Sequence, residues 1–325
     1  MRIAIDAMGG EKSPGVVLQG TQVLKHEVEL ILVGVEAVIK KTAEDLNISL
    51  DGLEIRHASQ VIEMDDPPSA AAKKKADSSI RVGLQLLKDG AAQAFVSAGS
   101  TGAIMATAKL VLGTIPGVKR PAIAQLIPTL IAPSVLLDVG ATVDCRPKYL
   151  YQFGLMGNIY AKHFLNIEQP RIGLLNIGSE ESKGNQLVKK TYRLFANSPL
   201  KFAGNVEAND VFRGDIDVVV CDGFIGNVFL KLSEGLLAMI RHNVFNGSNG
   251  TFMGKISQII TKRVLTKFNE SFDPDRYGGA PLLGINGSCV VCHGNSSARA
   301  IENGIRTAMH LAKNEIIETI RSELG

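Results

Sequence analysis

Ser97-Ala-Gly-Ser-Thr-Gly-Ala103 joins an apolar run over 93–98 to a helical pattern over 101–112, and this junction decides the fold. A buried strand that ends on small and hydroxyl residues and passes directly into a helix is half of a βαβ unit. Five more loops of the same kind follow apolar runs: Asp6-Ala-Met-Gly-Gly10, Asp138-Val-Gly-Ala-Thr142, Asn176-Ile-Gly-Ser-Glu-Glu-Ser-Lys-Gly184, Asp222-Gly-Phe-Ile-Gly-Asn227 and His293-Gly-Asn-Ser-Ser297. Ligands of open α/β sheets bind beyond the carboxyl ends of the strands. Strands sharing one sheet are therefore expected to bring most of the six loops to one edge that accepts negative charge.

Working outward, strands are predicted at 2–8, 29–34, 53–58, 93–98, 122–127, 134–140, 171–177, 201–206, 217–221 and 288–292. Helices are predicted at 14–26, 35–46, 69–89, 101–112, 147–165, 184–197, 226–245, 252–268 and 296–323. Runs such as Ser134-Val-Leu-Leu-Asp138 and Asp217-Val-Val-Val-Cys221 are apolar almost throughout. That suits a parallel sheet covered on both faces. Pro14 falls where a first-turn proline is tolerated, and Gly90 and Gly113 read as helix stops. No repeat or low-complexity linker divides residues 1–325, so a single α/β domain is expected. Segment 246–281 breaks the alternation and reads as a helical excursion.

Composition narrows the function classes. The 325 residues are 45% hydrophobic and 21% charged, which is ordinary for a globular chain. Thirty-five basic and 32 acidic residues leave a net charge of +3, with no basic stripe for nucleic acid. Aromatic residues make up 5%, and tryptophan is absent, so base-stacking platforms are not expected. The chain begins on a strand pattern with no signal-peptide core. No stretch approaches the ~18 uninterrupted apolar residues of a membrane span. A reducing cytoplasm is expected, with Cys145, Cys221, Cys289 and Cys292 free. Cys289 and Cys292 lie three apart in a strand and so face opposite sides. They read as buried small residues rather than a metal or redox pair.

Each loop offers candidate ligand groups. The amides at the start of the 101–112 helix have no internal partners and sit at the positive end of its dipole. Gly99 and Gly102 permit close backbone approach, while Ser97, Ser100 and Thr101 add hydroxyls. Lys183 sits beside Gly184 at the predicted start of helix 184–197. It is either a phosphate ligand or a solvated lysine paired with Glu180 or Glu181. Asn227 either meets a ligand or caps its helix. Asp222, acceptor-only when ionised, needs a donor or a neighbour to orient. His293 is a candidate general acid, with a turn-bonded structural histidine as the alternative. Two motifs fail: Gly247 to Lys255 has Asn249 where a P-loop needs glycine, and no G-x-G-x-x-G follows a strand. Helix 252–268 places Phe252, Met253, Ile256, Ile259 and Ile260 on one side, which fits an anionic membrane surface or a dimer or core contact.

Taken together, these stretches, with Gly204-Asn-Val-Glu207, Asp217–Lys231 and Tyr277-Gly-Gly-Ala-Pro-Leu-Leu-Gly284, resemble the bacterial phosphate acyltransferases of phospholipid synthesis along essentially the whole chain. The departures are Glu11 for aspartate, Thr142 for asparagine and Ala208 for glycine. The resemblance implies a three-layer α/β/α sandwich with a mostly parallel sheet, of the phosphotransacetylase and isocitrate dehydrogenase-like type. It implies acyl transfer from acyl-acyl-carrier-protein to inorganic phosphate, with no cofactor and no metal. It further implies a homodimer attached to the inner face of the cytoplasmic membrane through the helical excursion. The acyl phosphate product would pass to a membrane acyltransferase that acylates glycerol 3-phosphate. Under this reading Lys183, Asn227 and His293 are the catalytic candidates. Asp6, Gly9, Gly10, Ser97, Gly99, Ser100, Thr101, Gly102, Gly184, Asp222, Gly223, Gly294 and Ser296 surround substrate or phosphate. The rival activity is phosphotransacetylase-type transfer from acyl-CoA, since phosphate and a thioester are common to both.

Overall fold

The computed structural model describes residues 1–246, 275 and 278–324. The predicted helix 252–268, with Phe252, Met253, Ile256, Ile259 and Ile260, lies outside the described residues, as does most of the 246–281 excursion.

Among the described residues, eleven strands form one sheet: β1 (Arg2–Asp6), β2 (Glu29–Gly34), β3 (Leu53–His57), β4 (Ala94–Ser97), β5 (Ala122–Ile127), β6 (Ser134–Leu137), β7 (Ile172–Asn176), β8 (Phe202–Glu207), β9 (Val218–Val220), β10 (Ala280–Leu283) and β11 (Ser288–Val291). Their order is β3-β2-β1-β4-β11-β10-β5-β6-β9-β7-β8. The helices are α1 (Gly15–Thr21), α2 (Glu36–Asp45), α3 (Pro68–Lys74), α4 (Ser79–Lys88), α5 (Thr101–Val111), α6 (Pro147–Phe164), α7 (Gln186–Ala196), α8 (Gly223–Asn246), α9 (Ala298–Lys313) and α10 (Ile316–Leu324).

Each face of the sheet carries its own apolar cluster, which makes the three layers. Val17, Ile39, Phe153, Phe195, Ile301 and Ile316 bring α1, α2, α6, α7, α9 and α10 to one face. Ala71, Ile80 and Ala103 bring α3, α4 and α5 to the other, where Phe229 and Leu230 of α8 also pack. Cys292 belongs to the first cluster and Cys289 to the second, the opposed placement that strand geometry requires.

Three elements differ from the sequence reading. The predicted helix 69–89 is two helices, because Ser78 leaves the helical path, bridges to Gln60 and accepts from the Arg81 amide to start α4. The predicted 296–323 helix divides at Glu315, which takes a φ of 49°. Residues 280–283, read as the exit of the excursion, form β10 in mid-sheet, hidden by Gly278, Gly279 and Pro281.

The largest correction concerns direction. β10 runs antiparallel to both β11 and β5, and β5 runs antiparallel to β6. The group β3-β2-β1-β4-β11 is parallel within itself, as is β6-β9-β7-β8, but the two groups point opposite ways. The six polar loops therefore do not gather at one edge. Those after β1, β4 and β11 share a first edge, and those after β6, β7 and β9 share the second. The cause is the short β5–β6 hairpin, which reverses the chain within the sheet.

Candidate active site

A cavity of about 980 Å³ spans the sheet face between the two edges. Glu11, Gly99, Thr101 and His293–Ser296 form its first-edge end, and Val139 and Asn227 lie toward the second. The volume is at the upper end of the roughly 300–1,000 Å³ typical of small-molecule sites. Its long wall is mainly apolar: Ile123, Ile127 and Leu130 with Phe212, Phe229 and Leu237. Phe212 and Phe229 stack with centroids 5.4 Å apart.

At the first edge, loop amides are divided between structure and ligand. Buried Asp6 accepts from the amides of Met8 and Gly9 (both 3.0 Å) and from the Ser97 hydroxyl (2.6 Å). Ser97 in turn accepts from the Gly99 amide at 3.0 Å. Burial raises the Asp6 pKa, while the Ser97 and Ser79 hydroxyls and the two amides lower it. Asp6, Gly9, Ser97 and Gly99 are thus occupied in binding the loops to one another. Gly9 has no room for a Cβ, which would sit 2.3 Å from Asp6 Oδ2 and 2.6 Å from the Gly99 nitrogen. Gly10 (φ 103°) lies against Ala98 and Gly294, and the Glu11 amide donates to the Gly294 carbonyl at 2.8 Å. This packing leaves the N-terminus of α5 without a side-chain cap. Gly99 and Thr101 line the cavity at the start of α5, while Gly102 lies against Pro68; the uncapped first-turn amides beside Thr101 favour anions.

The second edge is closed. Asp138 Oδ1 accepts from the amides of Ile123 (2.9 Å), Gly140 (3.1 Å) and Ala141 (3.0 Å), and Oδ2 from Thr142 (2.6 Å). Burial pushes the Asp138 carboxyl up to about 6, against the pull of these four amides. Asp222 caps α8 by accepting from the Ile225 amide at 2.9 Å. Gly223 lies against Asp138 and Thr142. Asn227, one turn into α8, passes Gly140 and faces the cavity.

Lys183 lies beyond the carboxyl end of β7, half exposed, with Nζ 3.9 Å from Glu180, and does not line the cavity. Helix α7 starts later than predicted and is capped by Asn185, which accepts from the Val188 amide. Gly184 (φ 88°) packs against Asn176, and Asn205 donates to the Glu180 carbonyl at 2.9 Å, which holds this loop in place. The structure therefore joins Asn227, Thr101, His293, Gly294 and Ser296 around one cavity, leaves Ser100 beside it as the residue before α5, and keeps Lys183 and Gly184 apart from it.

A stripe of α8 supplies what the sequence reading missed. Asn227, Leu230, Lys231, Glu234 and Leu237, at spacings of three and four, all line the cavity. Lys231 Nζ lies 2.9 Å from His293 Nε2 and 2.7 Å from Glu234 Oε2. The stripe was visible as helical spacing, but only the opposing strands show which face of α8 is inward. The thiols offer no nucleophile: burial pushes Cys145, Cys289 and Cys292 each up to about 12, and Cys221 is also raised.

Comparison with known proteins adds the family. The profile described as "Fatty acid synthesis protein" matches residues 1–319. The chain belongs to that family. Within the family, it is 43% identical over 326 residues to the phosphate acyltransferase of Acidobacterium capsulatum, covering 99% of this chain and 97% of that protein. It is 44% identical over 327 residues to the phosphate acyltransferase of Trichlorobacter lovleyi, covering 100% and 95%. Among solved structures, a phosphotransacetylase from Streptococcus pyogenes superposes with a TM-score of 0.67 at 18% identity, over 96% of this chain and 94% of the other. That likeness is one of fold.

Proposed function

We propose that this acyltransferase moves a long-chain acyl group from acyl-acyl-carrier-protein to inorganic phosphate and releases an acyl phosphate. The observation that carries the proposal is the joining, in one cavity, of an uncapped helix N-terminus and a histidine to a long apolar wall. The polar end suits phosphate and the apolar length suits a fatty chain.

In this reading the Ser100–Ala103 turn holds hydrogen phosphate against the thioester. Binding both reactants in one site removes the entropy cost of their encounter. A phosphate oxygen forms a bond to the carbonyl carbon, the C–S bond breaks, and the proton of hydrogen phosphate ends on the departing sulfur. His293 stands where it can pass that proton. Asn227, facing the cavity one turn into α8, is the donor for the developing oxyanion. No covalent acyl-enzyme is needed, in keeping with the raised thiol pKa values.

The same proposal includes a homodimer and attachment to the anionic cytoplasmic membrane surface, with product passing to a membrane acyltransferase that uses glycerol 3-phosphate. Its support is a group of exposed apolar residues on α8 that do not line the cavity: Phe224, Ile225, Val228 and Met239.

Phosphate-dependent thiol release from palmitoyl-acyl-carrier-protein tests the activity. Release with that donor and little with acetyl-CoA supports the proposal. Preference for acetyl-CoA would favour phosphotransacetylase-type transfer instead.

A further inference from the structure

We propose that Lys231, rather than Lys183, is the cation that binds the phosphoryl group, acting together with His293 in the cavity. The inference rests on the function proposed above and goes further by naming a residue that sequence motifs did not single out.

Hydrogen-bond arithmetic carries it. His293 Nδ1 faces the Asn295 amide at 3.2 Å, and Nε2 faces the Lys231 ammonium at 2.9 Å. Both neighbours are N–H donors. A neutral imidazole offers one acceptor nitrogen and an imidazolium none. One donor directed at the ring is therefore left without an acceptor. Lys231 has three N–H groups; Glu234 takes one at 2.7 Å, which leaves two for the cavity side. A phosphate oxygen entering beside Nζ and Nε2 supplies the missing acceptor and lets the ring donate from Nε2 while Nδ1 keeps the amide. Ser296, nine-tenths buried on the same wall, brings a hydroxyl to the same end of the cavity. Lys183 has none of these relations: its neighbour is Glu180, and it stands at the other edge.

The position suits transfer as well as binding. Lys231 and Asn227 are one turn apart on the inward stripe of α8, about 6 Å along the axis. Phosphate held by Lys231 is then adjacent to a carbonyl whose oxygen is turned toward Asn227.

The test has two readouts. Lys231→Met is expected to raise the KM for phosphate about 10- to 100-fold, the loss of a charge-assisted hydrogen bond, with the KM for the acyl donor within about twofold. Lys231→Arg should recover most of the phosphate affinity. Separately, inorganic phosphate should raise the Tm of the wild type over chloride at matched ionic strength, and Lys231→Met should abolish that shift. Ser296→Ala, which removes no charge, should reduce the shift and serves if Lys231→Met folds poorly. An unchanged phosphate KM and Tm shift in Lys231→Met, or their loss in Lys183→Met alone, overturns the assignment. The outcomes separate the two proposals. A wild type that binds phosphate through Lys231 but transfers no acyl group refutes only the donor reading. Transfer that ignores Lys231 refutes only this one.

Discussion

The two edges of the sheet begin alike and end differently. Each is built on an aspartate that closes a strand, is fully buried and accepts the amides of the loop that follows: Asp6 after β1 and Asp138 after β6. At the second edge the loop amides close on Asp138 and Asp222 caps α8, while α6, which follows the Asp138 loop, has no side-chain cap but lines no part of the cavity. At the first, the carboxylate binds two loops together, and the helix that starts beside it, α5, has no cap. A strand-loop-helix junction is thus not a ligand site by its composition. It becomes one when its own side chains leave the helix amides free and a cavity opens over them.

That contrast can be broken experimentally. The largest effect is expected from Asp138→Ala, which strips the acceptor from four buried amides at roughly 1–3 kcal/mol each. Urea unfolding should show a loss of about 4 kcal/mol or more, with the phosphate KM of the folded fraction unchanged. A shifted phosphate KM there would mean that the second edge also touches ligand.

His293→Ala comes next. Turnover should fall about tenfold to thousandfold, ~1.4–4 kcal/mol in the barrier, while the Tm stays near that of the wild type. Normal turnover would remove the histidine from the reaction.

The buried Asp138 carboxyl should also be visible in pH dependence. Its pKa is higher folded, about 6, than the ordinary 3.8. The protonated form is therefore favoured by folding. This stabilisation is complete below the ordinary value, is lost as pH rises through about 6, and is worth about 3 kcal/mol. The stability of the wild type relative to Asp138→Asn should accordingly be greater at pH 4 than at pH 7. A flat difference across that window would show that the four amides outweigh burial.

The smallest effect is expected at Ser100→Ala. Loss of one neutral hydroxyl contact, ~1 kcal/mol, should raise the phosphate KM about fivefold and leave the Tm unchanged. An unaltered phosphate dependence would direct the anion away from α5.

Much of the scaffold was legible. Ten of the eleven strands described follow from runs of strand length; the central ones are apolar almost throughout because both faces are covered, while the edge strands β3 and β8 keep exposed positions. β10 was not legible, since Gly279 and Pro281 are turn residues by every local rule and only pairing with β11 and β5 makes the segment a strand. The site was legible in part. Thr101, Asn227, His293 and Ser296 were read as candidates from loop chemistry, and all four line the one cavity, which Ser100 does not. Lys231 was not, because a lysine within an apolar helix looks like any solvated charge.

By itself the sequence determined the layered α/β architecture, the anion-friendly loop chemistry and the kinship with phosphate acyltransferases, since these depend on local periodicity and on residue types at strand ends. Tertiary structure alone decided which loops face one another. The antiparallel β5–β6 hairpin sends half of them to the opposite edge, and α8 carries Asn227 and Lys231 back across the sheet to His293. The short β5–β6 connection signals its own reversal, but the pairing of β10 with β5 and β11 and the approach of α8 to His293 are relations between segments distant in sequence, which no local pattern encodes.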